Sequence, residues 1–225
     1  MFRYTLPEES QTYRQARDRL LEAEMALRDQ RERVAQLRRD LPPGPAPRDY
    51  LFREGPADLE RNDPAGFRDT LLSELFAPGK DSLIVYHFMF GPDWEQGCPM
   101  CSLWIDGYNA VAPHVTQRAN FALSARAELS KVRAYARGRG WKNLRLLSSA
   151  GNTLTADFGM EAGKDQLPGV SVFHKEPDGT IRHFWTGGAI MAEVQYRGLD
   201  LLSPVWNLYD LLPEGRGEWM PKHRV

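Results

Sequence analysis

The sequence predicts an α/β fold, in which a mixed β-sheet is flanked by helices and preceded by a long N-terminal helix. Three observations carry this prediction. Residues 8–40 contain neither glycine nor proline and are rich in strong helix formers. Apolar, β-rich segments then alternate with helical ones, an order that implies parallel strands joined by right-handed crossovers. A β-hairpin and a last helix follow, and the hairpin adds antiparallel strands.

The N-terminal helix carries a narrow apolar stripe. Tyr13, Leu20, Leu27, Val34 and Leu41 recur every seven residues, the spacing of a coiled-coil seam. Such a stripe on a charged helix is typical of an arm packed on its own domain, or of one that dimerises or binds a partner.

Four prolines within "LPPGPAPRDY" end this helix and mark a linker. The predicted organisation is a helical arm over 1–42, a proline-rich linker over 43–49, an α/β domain over 50–213 and a tail over 214–225.

Short strands are expected in "DYLFREG" and "ADLERN", followed by a helix over "DPAGFRDTLLSELF" with Asp63 as its cap and Pro64 at its first position. The run "DSLIVYHFMF" is nearly continuous in apolar residues, which is typical of a strand buried on both faces of a sheet.

The remaining elements of the domain follow the only two cysteines. We expect a helix from the cysteines onward, a strand in "ANFALSA", a helix in "RAELSKVRAYARGRG" and a strand in "NLRLLSS". The segment "PGVSVFHKEPDGTIRHFWTGG" is predicted to be a hairpin, and "YRGLDLLSPVWNLYDLL" a closing amphipathic helix.

Composition excludes several classes of function. Lys plus Arg total 29 against 30 for Asp plus Glu, so the chain lacks the basic field of a nucleic-acid binder. No segment approaches the roughly 20 apolar residues of a membrane span, and the N-terminus has no signal-peptide pattern. We therefore expect a cytoplasmic protein, in which a close cysteine pair is more typical of catalysis or metal binding than of a structural disulfide.

The cysteine motif "GCPMC" follows the buried strand, where active sites of open α/β sheets collect. Because Pro99 suits the first turn of a helix, Cys98 is expected at the N-cap and Cys101 one turn inside. The helix N-terminus lowers the pKa of a thiol and makes it a nucleophile. Cys101 shares a helical face with Ile105 and Tyr108, so it is expected to point inward.

Three interpretations of this pair remain: a redox centre, half of a metal site, or two inert residues. A zinc site needs two further ligands. No second cysteine pair exists, and neither mid-strand His87 nor His114, at the far end of the motif helix, is well placed. An exposed attacking thiol beside a buried resolving thiol is what thiol–disulfide exchange needs. We therefore favour the redox interpretation and predict no metal site.

Pro99 of the motif and two further residues, Trp94 and Pro168, are predicted to line the substrate site. Trp94 is placed to supply an apolar wall beside the cysteines. Pro168 heads the hairpin, where thioredoxin-type oxidoreductases place a cis-proline next to the active cysteines; a trans turn proline is the alternative.

Four charged or titratable residues near the motif also have two interpretations each. His87 is either a proton acceptor near the thiols or a hydrogen-bonded core histidine. Asp93 and Glu95 either shuttle a proton to Cys101 or are solvated loop charges. Arg126 either stabilises a cysteine thiolate or lies on the surface at a helix start.

The segments "LIVYHFMFGPDWEQGCPMCSLWIDGYN", "SARAELSKVRAYARGRGW", "PGVSVFHKEPDGTIRHFWTGG" and "RGLDLLSPVWNLYDLLPEGRGEW" together resemble the DUF899 family. These bacterial proteins are thioredoxin-like, predicted dithiol–disulfide oxidoreductases related in fold to peroxiredoxins. The resemblance spans nearly the whole chain. It implies a thioredoxin-like fold, a cytosolic protein without a bound organic cofactor, and Cys98 and Cys101 as the redox pair. The loop "TLTADFGMEAGKDQ" looks shorter than in that family.

The leading hypothesis is a thiol–disulfide oxidoreductase in which Cys98 attacks a protein or small-molecule disulfide and Cys101 resolves the intermediate. One alternative is a thiol peroxidase of the peroxiredoxin type, although the P-x-x-x-T-x-x-C spacing is missing because no threonine lies between Gly91 and Cys98. The other is a non-catalytic thioredoxin-like interaction module with a dimerising N-terminal helix.

Overall fold

The computed structural model describes residues 6–162, 165–191, 197–215 and 217–223. It divides into two compact units, Met1–Pro42 and Pro43–Val225. The first is a long helix, α1 (Gln11–Arg39), which confirms the predicted N-terminal helix. Ser10 caps it, because its side-chain oxygen accepts the Tyr13 N–H at 3.1 Å.

No residue of α1 is buried. Along its apolar stripe, the exposed fractions of Tyr13, Leu20 and Leu27 are 52%, 57% and 59%. In the part of the chain that the structure describes, no helix is both long and apolar enough to cross a membrane.

The second unit is built on a seven-stranded sheet. Its strands are β1 (Leu51–Glu54), β2 (Arg68–Leu71), β3 (Ser82–Phe88), β4 (Asn120–Ala125), β5 (Arg145–Ser148), β8 (Gly169–Lys175) and β9 (Ile181–Gly188). The short strands β6 (Glu161–Ala162) and β7 (Asp165–Gln166) pair separately. The helices are α2 (Pro99–Val115), α3 (Leu129–Arg139), α4 (Leu154–Asp157) and α5 (Pro204–Tyr209).

The strand order is β2-β1-β5-β4-β3-β8-β9. Strands β3, β4 and β5 are parallel and connected through α2 and α3, whereas the β8–β9 hairpin joins β3 in antiparallel pairing. This arrangement confirms the predicted thioredoxin-like mixed sheet. It also places β3, the strand that precedes the cysteines, in the interior of the sheet.

Side chains of β3 alternate between two cores, as the pleat of a strand requires. On one face lies the cysteine-side core, which includes Tyr86, Phe88, Cys101, Trp104, Ile105 and Tyr108. On the other lies the far core, which includes Phe52, Leu75, Leu83, Val85, Leu147 and Phe173. The two cysteines therefore belong to one face of the sheet.

The predicted strand in "ADLERN" is wrong: residues 57–62 form turns and irregular structure. Their carbonyl groups bond to a side chain instead of a neighbouring strand. The buried guanidinium of Arg133 donates to the carbonyl oxygens of Pro56 (2.7 Å), Asp58 (2.7 Å) and Arg61 (3.1 Å), and to Asn62 Oδ1 (3.2 Å).

The helix predicted in "DPAGFRDTLLSELF" is also wrong. Asp63 does cap a turn, since its Oδ1 accepts the Ala65 N–H at 3.0 Å, but the turn it caps is the short 3₁₀ turn Pro64–Gly66. The chain then enters β2, because pairing with β1 and burial of the following 3₁₀ turn, Leu72–Leu75, in the far core outweigh local helix propensity.

The closing helix is shorter than predicted. A 3₁₀ turn, Asp200–Leu202, precedes α5, and Ser203 between them is extended (φ −137°, ψ 136°). The cause is Pro204, which has no N–H and disfavours a helical conformation in the residue before it. Within α5, Trp206 is buried, while Tyr196, the first residue of the predicted helix, lies outside the described residues.

Candidate active site

Met89, the residue after β3, positions both cysteines. Its carbonyl oxygen accepts the Cys98 N–H at 2.9 Å, and its own N–H points at the Cys101 sulfur. Cys98 is the N-cap of α2 and Pro99 its first residue. The first helical hydrogen bond runs from the Ser102 N–H to the Cys98 carbonyl at 3.0 Å. Both cysteines therefore lie at the N-terminus of α2, next to the end of β3.

The two thiols differ in burial and in acidity. Cys98 is half-buried and Cys101 is fully buried. A hydrogen bond from the Cys101 thiol, together with the N–H groups of Cys101 and Met100, lowers the pKa of Cys98 to about 6, although burial opposes this shift. Burial, and then the bond to Cys98, raise the pKa of the Cys101 thiol. Near neutral pH, Cys98 is mainly a thiolate and Cys101 a thiol.

The pKa of Cys98 predicts its reactivity. The rate of alkylation of Cys98 by iodoacetamide should rise with pH, reach half of its plateau near pH 6 and change little above pH 7. Mass spectrometry of the alkylated peptide measures this rate. A half-maximal rate near pH 8.5, the value of an ordinary cysteine, would contradict it.

A glycine allows the cysteine loop to lie on the aromatic part of the core. A Cβ added at Gly97 would lie 2.0 Å from the Phe88 ring, so only glycine fits here without a shift. Phe88 packs edge-on against Phe90 and Trp141, with ring centroids 5.7 Å apart in both pairs. The packing of Gly97 on this aromatic cluster positions the neighbouring Cys98 relative to the sheet.

Trp94 lies in the loop before the cysteines. Its ring covers Gly91, where an added Cβ would be 2.9 Å from both the indole and the Gln166 amide. The side chain is 36% exposed. Trp94 therefore lines the surface of the loop that leads to Cys98.

Pro168 precedes β8, and of the two alternatives the trans proline applies, since the described residues contain no cis peptide bond. The pairing of His87 with Gly169 places Pro168 beside the end of β3, where the cysteine loop begins. Its carbonyl is engaged by the Ala189 N–H at 3.0 Å.

His87 does not face the thiols. It points to the far side of the sheet, where its Nε2 lies 2.8 Å from Ser171 Oγ, and burial lowers its pKa to about 4. Asp93 and Glu95 are exposed, and Arg126 pairs with Glu161 at 2.5 Å. None of these residues supports the catalytic interpretation considered from the sequence.

The low pKa of His87 makes folding stability depend on pH. The histidine is neutral in the fold but takes up a proton in the unfolded chain below about pH 6.5, so stability falls as the pH drops from 6.5 towards 4. The loss should reach about 2–3 kcal/mol at pH 4.5. Urea unfolding of wild type and His87→Gln, with exposed His114→Gln as the control, measures it. A His87→Gln protein with the wild-type pH dependence would contradict this assignment.

Two cavities flank the motif helix. An open cavity of about 810 Å³ is lined by Gln96, Tyr135, Trp141 and, further along α2, Asp106. A groove of about 320 Å³ begins at Pro99 and runs between α2, α5 and the tail; it is lined by Leu103, Gly107, Pro204, Val205, Tyr209 and Trp219. Cys98 lines neither cavity, but its sequence neighbours Gln96 and Pro99 line one each.

Sequence reasoning missed the hydroxyl groups around this site. Ser102 Oγ donates to the Cys98 carbonyl at 2.9 Å and also lies 2.9 Å from the Tyr135 hydroxyl. The Tyr86 hydroxyl faces the Cys101 sulfur. Strand parity alone puts Tyr86 on the same face as Phe88, but the contact with sulfur depends on the packing of α2.

A family model described as "Bacterial protein of unknown function (DUF899)" matches residues 5–224. No curated protein matches the chain.

Solved structures similar to this chain include peroxidoxin BcpB from Mycobacterium tuberculosis, at 16% identity, a TM-score of 0.49, and coverage of 71% of this chain and 92% of that one. AhpC from Mycobacterium bovis is 17% identical with a TM-score of 0.48, covering 80% of this chain and 98% of its own. Plasmodium yoelii Prx1a is 15% identical with a TM-score of 0.47, covering 79% and 95%.

Proposed function

The chain belongs to the DUF899 family, and we propose that it is a thiol–disulfide oxidoreductase acting through Cys98 and Cys101. One observation carries the proposal: half-buried Cys98 is the N-cap of α2 and fully buried Cys101 lies one turn inside the same helix, an arrangement that lowers the pKa of the first thiol and raises that of the second. This asymmetry separates the attacking from the resolving role.

The reaction has two steps. The Cys98 thiolate attacks a substrate disulfide, forms a mixed disulfide and releases one substrate thiolate. Cys101 then attacks Cys98, the second substrate thiolate leaves, and the pair ends as a disulfide while the substrate has gained two electrons. Trp94, Pro99 and Pro168 are proposed to line the substrate site, with the two cavities beside α2 accepting the rest of a disulfide-containing peptide.

The test is the reduction of a model disulfide, such as that of insulin, by the protein with dithiothreitol as the reductant. Turnover well above that of dithiothreitol alone, with a Cys98–Cys101 disulfide found by mass spectrometry, supports the proposal. Consumption of hydrogen peroxide without disulfide exchange would instead establish the peroxidase alternative. If neither thiol reacts, the protein is the non-catalytic interaction module and the proposed activity is wrong.

We also propose that α1 pairs with α1 of a second copy. Its apolar residues recur at the spacing of a coiled-coil seam and are more than half exposed at Tyr13, Leu20 and Leu27. In light scattering, the full chain should be a dimer at micromolar concentration, and Leu20→Glu with Leu27→Glu should convert it to a monomer. A monomeric wild-type protein would overturn this.

A further inference from the structure

Two buried tyrosines, Tyr86 and Tyr108, share the cysteine-side core with Cys101. Tyr86, in β3, is 1% exposed and Tyr108, in α2, is 8% exposed. Within the described part of the chain, neither hydroxyl has a hydrogen-bond partner. A buried hydroxyl without a hydrogen bond costs about 1–3 kcal/mol, so two of them beside one sulfur need an explanation.

The geometry directs both groups to the same place. Tyr86 shares its strand face with Phe88, and Tyr108 lies two helical turns after Cys101 on the same side of α2. The two rings meet edge to face, with centroids 5.1 Å apart. No hydrogen bond joins the Tyr86 hydroxyl to the Cys101 sulfur while the sulfur is neutral, but the charge of a Cys101 thiolate acts on both phenols and, after burial, raises their pKa values.

Chemistry gives these hydroxyls a role. A neutral thiol is a weak acceptor, whereas a thiolate accepts a strong hydrogen bond. Besides Cys98, the groups that act most strongly on the Cys101 sulfur are the Tyr86 hydroxyl and the Met89 N–H. His87 lies on the other face of the sheet, and Asp93 and Glu95 are exposed. The two phenol hydroxyls are therefore the groups available to stabilise a Cys101 thiolate, a role that a buried base or cation would otherwise have.

We propose that the Tyr86 hydroxyl, supported by that of Tyr108, stabilises the Cys101 thiolate by donating a hydrogen bond as charge develops on the sulfur. This inference rests on the proposed function. During resolution the Cys101 sulfur bonds to Cys98, the bond from Cys98 to the substrate sulfur breaks, and the proton lost by Cys101 ends on the departing substrate thiolate. Tyr86 keeps its own proton throughout. The same bond stabilises Cys101 as the leaving group when a reductant opens the disulfide at Cys98.

The test separates the two steps with an aromatic disulfide, dithiobis(nitrobenzoate). Attack by Cys98 releases a first coloured thiolate, and attack by Cys101 releases a second. In Tyr86→Phe the first release should keep its wild-type rate, and the second should slow by about 10- to 100-fold, the worth of one hydrogen bond to a charged group. Its pH profile should also move to higher pH, which a packing defect would not cause. Tyr108→Phe should slow the same step less.

The control is Tyr50→Phe, which removes a buried hydroxyl from the far core, where it donates to Asp157 at 2.8 Å. This variant should leave both releases unchanged. An unchanged second release in Tyr86→Phe overturns the inference, as does an equal slowing of both releases together with a lower melting temperature. If the wild-type protein gives no second release, the dithiol function itself fails, and that result is distinct from either.

Discussion

A Cys98→Ser protein should reduce a model disulfide at least about a thousandfold more slowly than wild type, because serine supplies no thiolate at neutral pH. Cys101→Ser should behave differently. Its Cys98 still attacks, but nothing resolves the product, so the protein should accumulate as a mixed disulfide with the substrate. Non-reducing electrophoresis and mass spectrometry distinguish a variant that never binds the substrate covalently from one that never releases it.

Circular dichroism of both serine variants serves as the control for folding, since a hydroxyl replaces a sulfhydryl at nearly constant volume. Wild-type rates of disulfide reduction in Cys98→Ser would eliminate the proposed role of this residue. Efficient turnover by Cys101→Ser would show that the substrate is released without the second cysteine.

The second large effect concerns stability. Replacing Arg133 by methionine should lower the free energy of unfolding by about 3–5 kcal/mol. The buried guanidinium holds three backbone carbonyls and one side-chain oxygen of residues 56–62. Methionine keeps much of the volume but leaves these acceptors without donors. Urea unfolding measures the loss.

Arg137 provides a matched control one helical turn further along α3. It is 42% exposed and lies 3.8 Å from a carboxylate oxygen of Glu60. An exposed pair of this kind contributes little, so Arg137→Met should cost less than about 1 kcal/mol. Equal losses in the two variants would show that helix propensity, and not the carbonyl contacts, accounts for the effect of Arg133.

The role of Arg133 also explains what the sequence could not predict. Residues 57–62 have no regular structure because their acceptors bond to a side chain about 70 residues later, which no local pattern reveals. The Asp63 cap was recognisable, and its contact forms, but strand pairing stopped the helix after one turn. By contrast, the strand "DSLIVYHFMF" and the proline that opens α2 carry their own local signals, and both were predicted correctly.

The candidate site divides in the same way. The positions of Cys98 and Cys101 follow from one proline and one preceding strand, both of which are local. The orphaned hydroxyls of Tyr86 and Tyr108 depend on how a helix packs across a sheet. The sequence pattern predicts that a tyrosine ring is buried. Whether its hydroxyl finds a hydrogen-bond partner depends on the three-dimensional packing of the core.

Met89 holds the backbone of Cys98 at the end of β3, and this has a consequence for the mobility of the cysteine pair. The amide hydrogen of Cys98 is held by the Met89 carbonyl, one residue beyond a strand that pairs with β4 on one side and β8 on the other. It can exchange with deuterium only when its hydrogen bond to the Met89 carbonyl breaks. Its protection should therefore approach that of the β3 amides, instead of the low protection typical of a loop. Because this hydrogen bond joins Cys98 to an interior strand, we expect the geometry of the reactive pair to persist through fluctuations at the protein surface.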